Sequence, residues 1–251
     1  MSTIDELITP FEPITLQKME EVNLLNRMDS KFVFEAAKLP GILAQLYSSY
    51  YVLEINQVRL QRYETLYFDT PQYQMYLNHH NKRLNRFKVR SRNYVDSGVT
   101  YFEIKIKNNK DRTIKKRNKQ PGVQEVITGK QEQLLTSCTN MTSGMLSPVL
   151  WVNFSRITFV NHEMTERVTI DIGLTFRSRV AEHTYPGVVI AEVKQDRYGS
   201  SVVAGILHKA HIPGANISKY CLGIITLNKH IKQNNFKQKL RHFKKLDHDI
   251  C

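Results

Sequence analysis

The sequence lacks the features that mark most membrane, secreted and nucleotide-loop proteins. No run approaches the roughly 20 consecutive apolar residues of a transmembrane helix. The opening, MSTIDELITPFEPI, is acidic and broken by Pro10 and Pro13, so it lacks the basic-then-apolar order of a secretory leader. Cysteines number only three, Cys138, Cys221 and Cys251. They are odd in count and far apart, with no CxxC pair and no disulfide framework, so a reducing, cytoplasmic setting is expected. There is no GxxxxGK[ST] and no GxGxxG between a strand and a helix, which excludes the ordinary nucleotide loops. HExxH and GxSxG are also missing, and no cysteine has the basic or His-rich neighbours of a nucleophile. His79 and His80 are adjacent, so on a helix they diverge by about 100° and make a poor metal pair. They are expected at the surface. Helix-turn-helix and RNA-binding signatures are absent. The aromatics alternate more with apolar faces than with basic ones, which argues against a base-stacking platform.

What is present is a chain of 251 residues, 41% hydrophobic, with 12 Tyr and 11 Phe. That is enough to bury a core and too much for a disordered chain. The 36 Lys and Arg outnumber the 23 Asp and Glu, giving a net charge of +13. Such an excess predicts an anionic partner: nucleic acid, a membrane surface or a polyphosphate-like ligand. Seven basic and two acidic residues fall between Lys229 and Cys251, a net +5, which leaves +8 for the body. In this tail Phe236, Leu240 and Phe243 stand at i, i+4 and i+7, the stripe of a basic amphipathic helix. It is expected to dock that stripe, with a membrane, nucleic-acid or partner contact as the alternative. The domain reading is therefore a body over 1–228 and a basic helical tail over 229–251.

The body's charge has a different pattern. In RFKVRSRNY, Arg86, Lys88, Arg90 and Arg92 occupy every second position, so a strand points all of them to one face. In YFEIKIK, Glu103, Lys105 and Lys107 oppose Phe102, Ile104 and Ile106. Arg167, Thr169 and Asp171 oppose Val168, Ile170 and Ile172, and Glu192, Lys194 and Asp196 oppose Ala191, Val193 and Gln195. A solvated sheet face explains any one of these strands. Four together, with Arg dominant on one and apolar residues behind, suggest the lining of a closed interior. So many like charges can be buried only around dense counter-charge. Phosphate suits it, because Arg forks match its oxygens and Lys adds a point charge. A carboxylate among the cations suits a divalent metal.

The coarse element reading is mixed, without strict βαβ alternation. Strands are expected at 31–35, 59–69, 85–95, 99–108, 149–160, 164–172 and 187–196. Helices are expected at 36–50, after Pro71 with Asp69 or Thr70 as N-cap, and at 129–140, 200–211 and 217–231. Residues 108–122 read as a basic polar loop with room for one short strand at its centre.

Taken in order, the motifs resemble those of the VTC (vacuolar transporter chaperone) polyphosphate-polymerase domain, within the triphosphate tunnel metalloenzymes. They are NRMDSKF from Asn26, YFDTP from Tyr67, KVRSR from Lys88, FEIK from Phe102, KKR from Lys115, Ser155-Arg156, ERVTID from Glu166, AEVK from Ala191 and SKYCLG from Ser218. The resemblance implies an α+β fold: an antiparallel β-barrel tunnel of about eight strands, helices packed outside and a helical C-terminal extension. By motif position the basic set is Arg27, Lys31, Arg90, Arg92, Lys105, Lys115, Arg156, Arg167 and Lys219, with Lys116 an equal alternative to Lys115. The strand faces add Lys88 and Lys194 to the substrate-binding set. The metal carboxylate is Glu192, for Mn²⁺ or Mg²⁺. Two departures stand out. Asn216 replaces a lysine that fungal members carry three residues before Lys219. Met28-Asp29-Ser30-Lys31 stands where hydrolytic tunnel enzymes have ExExK.

The resemblance implies transfer of the ATP γ-phosphate to a growing inorganic polyphosphate chain. A non-catalytic polyphosphate or triphosphate binder and a triphosphate hydrolase are the alternatives. No specific nucleic-acid partner is expected, although nucleic-acid binding through residues 229–251 is a third class. Neither a membrane segment nor an inositol-polyphosphate-sensing domain of the fungal kind is expected from these 251 residues. Peripheral membrane association would need a separate membrane partner.

Overall fold

Period-two alternation builds this molecule, because a strand can give one face to helices and the other to charge. The computed structural model describes residues 3–21, 27–110, 112–196 and 200–248, with the side chains of Arg27 and His248 outside that description. The elements begin with α1 (Ile4–Ile8), β1 (Glu12–Ile14), α2 (Leu16–Glu20), β2 (Arg27–Glu35), α3 (Leu39–Ala44), β3 (Tyr50–Leu53) and β4 (Gln61–Asp69). They continue with α4 (Gln74–His80), β5 (Arg86–Tyr94), β6 (Val99–Lys107), β7 (Thr113–Gln120), α5 (Lys130–Cys138), β8 (Ser147–Asn161) and β9 (Glu166–Arg177). The last are β10 (Glu182–Tyr185), β11 (Val188–Asp196), α6 (Val202–Lys209), α7 (Lys219–Leu227) and α8 (Lys237–His248).

Eight strands form one path, β2-β11-β9-β8-β4-β5-β6-β7, with every neighbour antiparallel. The sheet curls strongly. Lys31 on β2 and Lys88 and Lys105 on β5 and β6 line one cavity, although they lie far apart along the path. The expected closed barrel is not closed by hydrogen bonds: among the described residues no pair joins β2 to β7. The reason lies on the free edge of β2. Gly214 bridges Phe32 there, and the Ala215 amide donates to the Lys31 carbonyl at 2.7 Å.

The outer face carries Phe32, Phe34, Ile157, Phe159, Val168, Ile170, Ala191 and Val193, buried under α1, α3 and α6. The other end of the sheet buries Leu66, Phe68, Val89, Phe102 and Ile104 against α4 and α5. On the inner face, α7 fills one end, packing Tyr220, Cys221 and Ile224 with Tyr67, Leu150, Val152 and Phe176. Gly223 permits this approach: a Cβ there would lie 2.6 Å from a Leu150 methyl and 2.7 Å from the Phe176 ring. Phe243 and Leu246 of α8 are buried in the same cluster, joined by the half-buried Phe236 and Leu240. No helix among the described residues is long and apolar enough to cross a membrane.

Several expected elements change. The helix expected over 36–50 is a 3₁₀ turn followed by α3 and ends at Ala44, because the chain must turn into β3. The polar stretch 108–122 contains the full eight-residue strand β7, an exposed edge strand with no apolar face to betray it. The helix after Pro71 starts later, at Gln74, yet Asp69 and Thr70 do receive its amides. The helix expected over 217–231 spans Lys219–Leu227. His80 is buried, not at the surface. Its Nε2 accepts the Asn235 amide at 3.2 Å, and its carbonyl accepts the Asn235 side chain at 2.8 Å.

Candidate active site

Cross-strand register assembles the site. Lys31 stands opposite Glu192, Glu192 opposite Thr169, and Arg156 opposite Asp171. Tyr67, Arg90, Glu103 and Arg117 make one row, and Lys88, Lys105 and Lys115 another. All face inward, and three carboxylates organise the cations around them.

Glu103 is fully buried. It accepts from Arg90 Nε at 2.8 Å and Nη2 at 2.6 Å, and lies 3.0 Å from Lys115 Nζ. Arg90 also donates to the Tyr67 hydroxyl at 3.1 Å. Burial alone would raise the Glu103 pKa, but the positive field of Arg90, Arg92 and Lys115 outweighs it and holds the carboxyl ionised. Of the two neighbouring alternatives, Lys115 faces in, while Lys116 lies on the opposite face of β7.

Asp171 accepts from Arg156 through both oxygens, at 2.5 and 2.8 Å, and from the Lys219 ammonium. Burial again opposes ionisation, and Arg156 and Lys219 reverse it, so the carboxyl sits below the usual range. Lys219 opens α7, and Ser218 caps it by accepting the Cys221 amide. Lys88 Nζ donates to the same Ser218 hydroxyl at 3.0 Å, joining β5 to the helix end.

Glu192 has looser company: Lys194 at 3.3 Å and Lys31 at 3.8 Å. Its pKa is lowered against burial by Lys194 and Lys31. Beside it the buried Thr169 hydroxyl has no hydrogen-bond partner among the described residues. Arg92 donates to Thr65 Oγ1 at 3.2 Å and lies over the rings of Tyr63 and Phe154 at 5.5 and 5.9 Å. Arg156 shares those rings at 5.0 and 5.2 Å, and the Lys219 ammonium is 4.7 Å from the Phe154 centroid. Arg167, in register with Lys194, donates to the Met19 carbonyl at 3.0 Å. The field of Arg90, then burial and Arg92, pushes the Lys105 amine down to about 5.

Thus Arg90, Arg92, Lys105, Arg156, Lys219, Lys31, Lys115, Lys88, Lys194 and Glu192 share one interior, with Arg167 at its edge. The Arg27 side chain lies outside the described residues. Sequence reasoning left Glu103 and Asp171 out of the site set, although both stand at inward positions of their strands. It also missed the aromatic floor of Tyr63, Tyr67 and Phe154. Asp69, in YFDTP, is a further surprise. It is fully buried and accepts the amides of Thr70, Met75 and Tyr76 at 2.7, 2.8 and 2.9 Å, and the Tyr220 hydroxyl. It therefore ties β4 and α4 to α7, the helix that presents Lys219.

The fold is similar to that of HpAC1 from Hippeastrum, a proposed adenylyl cyclase with a dominant triphosphatase activity. The TM-score is 0.52 at 12% identity, covering 80% of this chain and 97% of that one. A conserved hypothetical protein from Pyrococcus furiosus and a protein from Pyrococcus horikoshii each match at 10% identity. Their TM-scores are 0.42 and 0.39, with 78% and 74% of this chain and 99% and 92% of theirs covered. No curated protein matches. The VTC domain family matches residues 26–228, from the first long strand through the helix that carries Lys219. With that span reaching from the Glu192 cluster to the Asp171 cluster, the chain belongs to the VTC domain family.

Proposed function

We propose that the protein is an ATP-dependent polyphosphate polymerase that transfers the ATP γ-phosphate to a growing inorganic polyphosphate chain inside its basic interior. One observation carries the reading. Three carboxylates are met by six cations, and three further basic side chains, Lys88, Arg92 and Lys105, make no ion pair among the described residues, with Lys105 crowded enough by positive charge to lose its proton until an anion binds. A half-closed interior with that surplus is stable only around dense negative charge. A linear phosphate chain offers oxygens along its whole length for Arg forks and Lys points.

Phosphoryl transfer needs positioning and charge stabilisation more than a protein nucleophile. Arg90, Arg92 and Arg156 would grip the triphosphate oxygens, and Lys219 and Lys88 would hold the phosphates near α7. A terminal oxygen of the acceptor chain attacks the γ-phosphorus, the bond to the β-phosphate oxygen breaks, and ADP leaves with that electron pair. Glu192 fits a divalent cation: it is ionised, its lysines stand at 3.3 and 3.8 Å and leave it less tightly held than Glu103 or Asp171, and the Thr169 oxygen beside it has no hydrogen-bond partner among the described residues. Among the described residues no three His, Cys, Asp or Glu gather into a metal cluster. Mg²⁺ or Mn²⁺ would therefore rest on one carboxylate and the substrate phosphates, a usual arrangement for Mg²⁺. Such an ion, when bound, neutralises charge developing on the transferred group.

Incubating the protein with ATP and Mn²⁺ should yield ADP and a long phosphate polymer in equal phosphate count. Free phosphate without polymer would make it a hydrolase, the second reading, supported by the activity of HpAC1 on a similar fold. Polyphosphate binding without ADP would make it a binding module. Arg156→Ala should lower turnover by at least about 100-fold, and Glu192→Gln should remove the dependence on added metal.

A further inference from the structure

At the end of the interior nearest Arg86, a cavity of about 580 Å³ opens between the turn after α4, strands β5 and β6, the segment before α7, and α8. Its lining includes Lys31, Lys82, Arg86, Lys88, Lys105 and Lys239, and none of the described lining residues is Asp or Glu. Lys31 joins the cavity to the centre of the site, where it lies 3.8 Å from Glu192 and where each cluster has its own carboxylate. Lys239 comes from the C-terminal helix, beyond the 26–228 span of the family match. Its ammonium donates to the Asn216 carbonyl and lies 5.4 Å from the Phe236 ring, so it is aimed at the cavity. It is only half-exposed, and Phe243 and Leu246 fix its helix in the core. Arg86 and Arg92 lie six residues apart on one strand, about 20 Å, which exceeds the length of three linked phosphates.

We propose that this cavity is a second anion subsite, built partly by the C-terminal helix through Lys239, that grips the portion of a linear phosphate chain extending beyond the central clusters. The inference rests on the functional reading above, in that the central clusters hold phosphate. It assigns the basic tail a place in the site, in contrast to a free surface contact. With no carboxylate among the described lining residues, affinity here comes from every added phosphate and is gained only by chains long enough to reach it.

The test compares binding of inorganic tripolyphosphate and long-chain inorganic polyphosphate to the full chain, by calorimetry across a salt series. Wild type should bind the long chain more tightly. Lys239→Ala should weaken long-chain binding about tenfold, flatten its salt dependence by about one counterion, and leave tripolyphosphate within about twofold. Lys239→Arg should restore it, and Lys244→Ala, exposed on the same helix, should change nothing. Lys82→Asn reaches the same cavity from a different element, at a left-handed position (φ 55°) that Asn accepts. It should show the same length-dependent loss if Lys239→Ala fails to fold. Equal losses for both ligands, or no loss for the long chain, overturn the subsite and leave the central reading intact. Wild type that binds neither ligand overturns both.

Discussion

Lys105 gives the sharpest test of a site arranged for a polyanion. Its amine, ordinarily at 10.5, is pushed down to about 5 by Arg90, burial and Arg92. Keeping such a lysine neutral at pH 7 costs about 5 kcal/mol, from 1.4 kcal/mol per tenfold change in proton affinity. Partial solvent access reduces this to about 2–4 kcal/mol. Replacing it with Met keeps the aliphatic stem and removes the ionisable end. Lys105→Met should therefore stabilise the ligand-free protein by about 2–4 kcal/mol at pH 7, read by urea unfolding in phosphate-free buffer. The pH dependence has a definite sign. Between about 5 and 10.5 the unfolded chain binds the proton and the folded one does not, so wild-type stability rises with pH. The advantage of the variant should be greatest near pH 5 and vanish as pH approaches 10.5. The same variant should bind tripolyphosphate at least about tenfold more weakly. A variant no more stable than wild type, or an advantage independent of pH, would refute the reasoning.

Other outcomes follow from the same geometry. Tripolyphosphate binding at pH 7 should take up about one proton as Lys105 charges, seen as calorimetric heats that vary with buffer ionisation enthalpy; buffer-independent heats contradict it. Arg90→Ala leaves Glu103 buried with Lys115 alone and should cost about 3–5 kcal/mol in urea unfolding. Gly223→Ala forces a methyl against Leu150 and Phe176 and should cost about 1–3 kcal/mol; an unchanged midpoint would show that α7 can shift. Tyr220→Phe removes one donor to Asp69 and should cost about 1–3 kcal/mol while leaving the ordinary spectral signature of the folded sheet.

The sequence made the lining legible because period two survives any rearrangement of strand order. Arg86, Lys88, Arg90 and Arg92 had to share a face whatever lay beside them. What alternation cannot express is register between strands. Glu103 and Asp171 looked like incidental acids on basic faces, and only pairing across β5–β6 and β8–β9 places Arg90 and Arg156 on them. Register likewise turns Lys115 inward and Lys116 to the other face. Strand β7 was hidden because it is polar on both faces, and His80 because its partner Asn235 lies 155 residues further along. The unclosed edge had no local signal either, since Gly214 and Ala215 reach β2 from the far end of the chain.

The strand path also sets an order of assembly. Pairs β5–β6, β6–β7 and β8–β9 join neighbours in sequence and can form as local hairpins, whereas the one strand that β2 pairs with among the described residues is β11, at the opposite end of the body. Loop-closure entropy makes that long-range pairing slow. During synthesis the first long strand must wait, unpaired, until nearly the whole body has emerged. The Arg90–Glu103 half of the site is thus available early, and Lys31 meets Glu192 last. Pulse-labelled hydrogen exchange should find β5 and β6 amides protected before those of β2. A phosphate chain added during refolding would then act as a template, drawing the late strand onto a half already charged to receive it.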